Sequence, residues 1–291
     1  MLLKKNAVSF LIVSSLLLGS LPCTTEAKVV TEAERLQMLL QIKDLLNILV
    51  LLQAQVQEQN AKEDRRPYQS VYYNFPHKNI YFVVNGQLIN SNGSKTIFAT
   101  HKELFDLFTL IVGKSEVDKY VDEWRIFNNA DSDLGAYVEL MSATDAGPRN
   151  WVVGVNTAGY DRESLDSFVN LFIHEYGHIV LYDLKTFERS YKAKFWTVAD
   201  EVNSRKIKSA QTDNKIVMAE KYFETNQNRF VNDYAVNSYE EDLAETFVYF
   251  VREDMPNNNT VRDQKIRTFY QEPSLVKIRT QIRENLKTTN L

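Results

Sequence analysis

The chain has 291 residues, a mass of 33.8 kDa and a formal net charge of −4. That length holds one large domain, or one domain with an appendage. Its 44% hydrophobic and 25% charged residues can bury a real core, which excludes disordered and fibrous classes, and no long basic run invites a nucleic-acid partner.

Residues 1–27 read as an address rather than as part of the fold. Lys4 and Lys5 give a positive start, Ala7 to Gly19 form an uncharged apolar run, and small and polar residues lead to Ala27. This is the layout of a secretory signal peptide, with an apolar run too short for a stable anchor. Cleavage after Ala27 leaves no transmembrane segment and predicts a secreted, periplasmic or cell-surface protein. Lipid attachment at Cys23 is the weaker alternative, because Pro22 stands where a small residue is expected. Cys23 is the only cysteine, so no disulfide framework and no Cys-ligated metal site can be built.

Residues 28–66 read as a helical appendage. Thr31 and Glu34 form a capping-box pattern, and Leu39, Ile42, Leu46, Leu49, Gln53 and Val56 alternate three and four residues apart. A seam over residues 31–63 suits self-association as a coiled coil, or packing on its own domain. The charged run Glu63-Asp64-Arg65-Arg66 and then Pro67 mark a boundary, which makes 67–291 the main domain. Asn79 to Leu88 reads as a strand running into an Asn-Gly turn, and Lys102 to Phe127 as one or two helices broken near Gly113. Leu134 to Met141 and Trp151 to Asn156 read as strands, and the chain from Ser164 onward as helical. Strands early and helices late predict an α+β fold.

The segment that carries chemistry is His174-Glu175-Tyr176-Gly177-His178, an HExxH motif inside a helical pattern. The chain has only four histidines, so a chance match is expected on the order of 0.005 times. Residues i and i+4 share a helix face, so His174 and His178 can ligate one Zn2+. Glu175 is turned about 100° from His174 and can take a proton from water that zinc acidifies to a pKa of about 7. His77 and His101 read as ordinary histidines. A catalytic zinc usually has three protein ligands, so one more is needed. The metzincin spacing is excluded by Leu184 at the position of its third ligand. Two downstream carboxylates remain: Glu201, in a DEVNSR stretch, and Glu241, at an acid-rich helix start.

HEYGH followed by FVNDYAVNSYEEDLAETF resembles the catalytic domain of anthrax lethal-factor-like metallopeptidases, within the gluzincin group. The resemblance covers roughly residues 166–250 through two short blocks. It implies a zincin-like domain that hydrolyses peptide or protein substrates, with Glu241 as third zinc ligand, Glu245 as an acidic partner one turn later, and Tyr234 beside the reacting carbonyl. Glu245 would then accept a hydrogen bond from a ligating histidine, and the Tyr234 phenol would donate one to the developing oxyanion. By analogy with zincin folds, Trp151–Asn156 would be the edge strand that binds an extended substrate. The rival readings are a zincin fold kept for surface binding without turnover, and a coiled-coil scaffold.

Overall fold

The computed structural model describes residues 31–46 other than 33, 77–141 other than 95, 131 and 133, 151–158 and 165–288. The leader over 1–27, Cys23 and the seam beyond residue 46 lie outside them. The chain divides into two compact units, Met1–Arg66 and Pro67–Leu291. In the first, residues 34–46 are helical, and the expected capping box is present. The Thr31 amide donates to Glu34 Oε2 at 2.8 Å, and the Glu34 amide donates to Thr31 Oγ1 at 3.3 Å. Leu39, Ile42 and Leu46 of the seam are each more than half exposed. No helix among the described residues is long and apolar enough to cross a membrane.

The second unit is α+β. Its strands are β1 (His77–Val84), β2 (Gln87–Asn90), β3 (Val121–Phe127), β4 (Ala136–Leu140) and β5 (Trp151–Asn156), in the sheet order β2-β1-β3-β5-β4. Asn85 and Gly86 both take positive φ, 53° and 67°, as the tight turn joining β1 to β2 requires. Among the described strands only β3 and β5 pair in parallel. β4 lies antiparallel to β5 at the sheet edge, so β5 is an interior strand. The edge-strand role expected of Trp151–Asn156 therefore falls to β4. Gly154 of β5 is opposite Tyr137, whose ring lies where a Cβ would stand, at 2.1 Å, so only glycine lets β4 close on β5.

Two helices precede β3: α1 (Ala99–Val112) and α2 (Lys114–Tyr120). The helical reading of Lys102 to Phe127 holds only to Tyr120, and the remainder is the central strand β3. Its charges mislead because they are buried in partnership. Glu123 and Arg125 are two residues apart on one face of β3 and pair at 2.6 Å, nearly inaccessible to water. The other face offers Trp124 and Ile126 to the main core, where Trp124 meets Phe108 of α1 and Phe172 with ring centres 5.5 and 5.9 Å apart.

After β5 the unit is helical: α3 (Leu165–Asp183), α4 (Lys185–Phe195), α5 (Val198–Ser209), α6 (Thr212–Thr225), a 3₁₀ turn at Tyr234–Val236, then α7 (Tyr239–Arg252), α8 (Val261–Phe269) and α9 (Pro273–Thr288). Val169, Phe172, Ile173, Tyr176, Ile179 and Val180 recur at helical spacing and bury one side of α3. α7 does the same with Leu243, Phe247, Phe250 and Val251. The two helices approach closely at Gly177, where a Cβ would stand 2.9 Å from the Phe247 ring.

Candidate metal centre

The close approach of α3 and α7 brings three side chains to one point. His174 and His178, one turn apart on α3, turn their Nε2 atoms toward each other at 3.0 Å. Glu241, in the first turn of α7, places Oε2 at 3.1 Å from His174 Nε2 and 3.4 Å from His178 Nε2. The Ser238 hydroxyl caps α7 by accepting the Glu241 amide at 3.2 Å, and the acidic first turn faces the positive end of the helix dipole.

Three electron-pair donors thus meet, and only a shared proton or a cation can lie between them. Glu241 Oε2 is buried and makes no hydrogen bond of ordinary geometry. His174, His178 and Glu241 form a group that could hold a metal ion. The dimensions fit one: ligands about 2.0–2.1 Å from a tetrahedral ion stand about 3.3 Å apart. The surrounding carboxylates favour a positive charge at His174. Burial opposes its charge, but Glu241, Glu245 and Glu175 outweigh that and hold its pKa up to about 10.

Glu245, one turn after Glu241, lies with Oε1 at 2.6 Å from His174 Nδ1, a charge contact outside ideal hydrogen-bond alignment. Glu175 is buried beside the two imidazoles, and burial raises its pKa against the pull of His174 and His178. Tyr234 sits on the 3₁₀ turn before α7, 46% exposed, its ring 5.7 Å from that of His174 and nearly edge-on.

Two openings meet at this group. One, of about 280 Å³, runs past Ala136 and Val138 of edge strand β4 to Trp151, Tyr182 and Tyr239; the other, of about 340 Å³, runs past Leu134, Leu171 and Val248. His174, Glu175 and Tyr234 line both. The three donors and the buried Glu175 line the first opening, which borders β4 at Ala136, Tyr137 and Val138.

The structure brings together His174, Glu175, His178, Tyr234, Glu241 and Glu245. It leaves Glu201 elsewhere, on α5, where its carboxylate accepts from Trp196 Nε1 and Arg205 Nε, both at 3.1 Å. His77 and His101 are also apart, each 2.8 Å from a tyrosine hydroxyl, those of Tyr137 and Tyr81. Sequence reasoning missed Asn232, whose amide donates to Glu245 Oε2 at 2.6 Å, because an Asn before a turn signals only turn-making. It also missed Asp242 and Lys265, a fully buried pair at 2.7 Å on the far side of α7. Among known proteins, no family model, no curated protein and no solved structure matches the chain.

Proposed function

We propose that the protein is an exported zinc-dependent peptidase whose second unit is a zincin-like catalytic domain of the lethal-factor-like gluzincin type. The observation that carries this reading is the meeting of His174, His178 and Glu241 beside the buried Glu175, in an opening bordered by strand β4. Two imidazoles and one carboxylate are a donor set suited to zinc, and three protein donors leave a fourth position for water or substrate. Bound zinc would polarise the scissile carbonyl and acidify a water molecule.

The chain's own residues supply the rest. Glu175, raised in pKa by burial yet adjacent to both histidines, is placed to accept a proton and return it to the leaving amine. Tyr234 projects its phenol from the turn facing His174, where it can donate to a developing oxyanion. Among the described residues β4 has β5 on one side only, so its outer edge can take an extended peptide as an added strand. The substrate is then a peptide or an unfolded segment of a protein. Export rests on the leader.

The test is peptide cleavage by the zinc-loaded protein against its Glu175→Gln variant, using a proteome-derived peptide mixture read by mass spectrometry. Glu175→Gln should retain zinc and lose at least about 10²-fold in rate. A zinc-loaded wild type that cuts nothing would leave a binding protein, and full activity in the variant would remove Glu175 from the mechanism.

A further inference from the structure

Asn232 bridges two parts of the site. Its Nδ2 donates to Glu245 Oε2 at 2.6 Å, and its Oδ1 accepts the Ala235 amide at 3.0 Å. The second bond closes the turn that carries Tyr234. The first grips the carboxylate whose other oxygen stands 2.6 Å from His174 Nδ1. Its two partners also fix which way the amide points. A flipped amide would set oxygen against carboxylate and NH₂ against a backbone N–H, losing both bonds.

We propose that Asn232 is a positioning residue: it holds Glu245, and through it the His174 imidazole, in the orientation that ligates metal, and it ties that orientation to the turn bearing Tyr234. This rests on the metal-site part of the reading above and not on peptide hydrolysis. Glu245 begins on α7 and reaches back to α3, and its carboxylate could rotate if only His174 held it. A second anchor on Oε2 removes that freedom. Partners of this kind orient the ligating ring, and their loss typically costs about 10–100-fold in metal affinity.

The experiment is zinc affinity by chelator competition, with the visible absorption spectrum of the cobalt(II)-substituted protein as a readout of ligand geometry. Asn232→Asp keeps an acceptor for the Ala235 amide but sets a carboxylate against Glu245. It should weaken zinc binding at least about 10-fold and alter the cobalt spectrum, while the circular dichroism spectrum stays native. The exchange Asn232→Asp/Glu245→Gln reverses the direction of the same hydrogen bond, with the new amide on α7 donating and the new carboxylate before the turn accepting. It should bind zinc more tightly than Asn232→Asp alone and restore the cobalt spectrum. A role confined to closing the turn gives no such rescue.

Unchanged zinc affinity in Asn232→Asp, or an Asn232→Asp penalty of the same size in a Glu245→Ala background, would overturn the inference. A wild type that binds zinc and cuts no peptide would defeat the proposed function and leave this role standing. A wild type that binds no zinc would defeat both.

Discussion

Lys265→Met tests how the helix that carries Glu241 is anchored. Asp242 directly follows Glu241 but turns to the opposite side of α7, where its carboxylate meets Lys265 Nζ at 2.7–2.8 Å and accepts from the Tyr191 hydroxyl at 3.1 Å. Neither charged side chain is exposed at all. Burial raises the Asp242 pKa against the attraction of Lys265, and burial lowers that of Lys265 against the attraction of Asp242. Methionine keeps the length of lysine and removes the charge. The variant's cheapest response is to fold with Asp242 protonated. An unfolded aspartate titrates near 3.9, so at pH 7 that proton costs about 4 kcal/mol. This agrees with the roughly 3–5 kcal/mol for breaking a buried pair. For a domain of this size it corresponds to about 8–16 °C in melting temperature.

The folded variant holds a proton that the unfolded chain has released, so its stability falls as pH rises above about 4, by about 1.4 kcal/mol per unit. The double variant Asp242→Leu/Lys265→Met has no such group and is the reference, expected near or above wild-type stability. Urea denaturation of the metal-free proteins at pH 5, 6 and 7 measures the gap between single and double variants. A Lys265→Met cost below about 1 kcal/mol at pH 7, or a gap that stays flat from pH 5 to 7, refutes the reasoning.

Glu241→Ala removes one of the three donors and should lower zinc affinity by well over 10-fold, more than loss of an orienting partner, whereas Glu201→Ala should leave it unchanged. Zinc content after dialysis against a chelator decides between them, and an emptied site in Glu201→Ala alone would reverse the ligand assignment. Gly177→Val drives two methyl groups into the Phe247 ring at the crossing of α3 and α7. It should cost about 1–3 kcal/mol in overpacking and also weaken zinc binding, because α7 carries Glu241. A variant that loses stability but binds zinc as the wild type does would show that the crossing can adjust without moving the donors.

Elements were legible where one physical signal dominated. The apolar stripe of α3, the Asn85-Gly86 turn and the valine-rich β5 each follow from local pattern. β3 did not, since Asp122, Glu123 and Arg125 look like a solvated helix face until Glu123 and Arg125 find each other inside the fold. Strand order was equally hidden: nothing local to Trp151–Asn156 says that β4 will cover its free side, and the need for Gly154 beneath Tyr137 appears only once they pair. In the site, His174 and His178 could be read because helix geometry alone makes them neighbours. Glu241 needed a second helix to be docked, and Asn232 needed the side chain of a third partner to be in place.

The three donors reach the site from distant parts of the chain. Two come from a single turn of α3, but the third arrives after α4, α5, α6 and the Tyr234 turn have been threaded into place, 63 positions beyond His178. Closing a loop of that length costs about 3.7 kcal/mol in chain entropy. An ion present at about 1,000 times its dissociation constant returns about 4.1 kcal/mol to the folded state alone. A bound metal would then act as a staple that roughly offsets this loop-closure term, while helix packing has to offset the ordering of the segment itself. A chain still unfolded would offer only the two histidines, so the donor set is completed when α7 docks on α3.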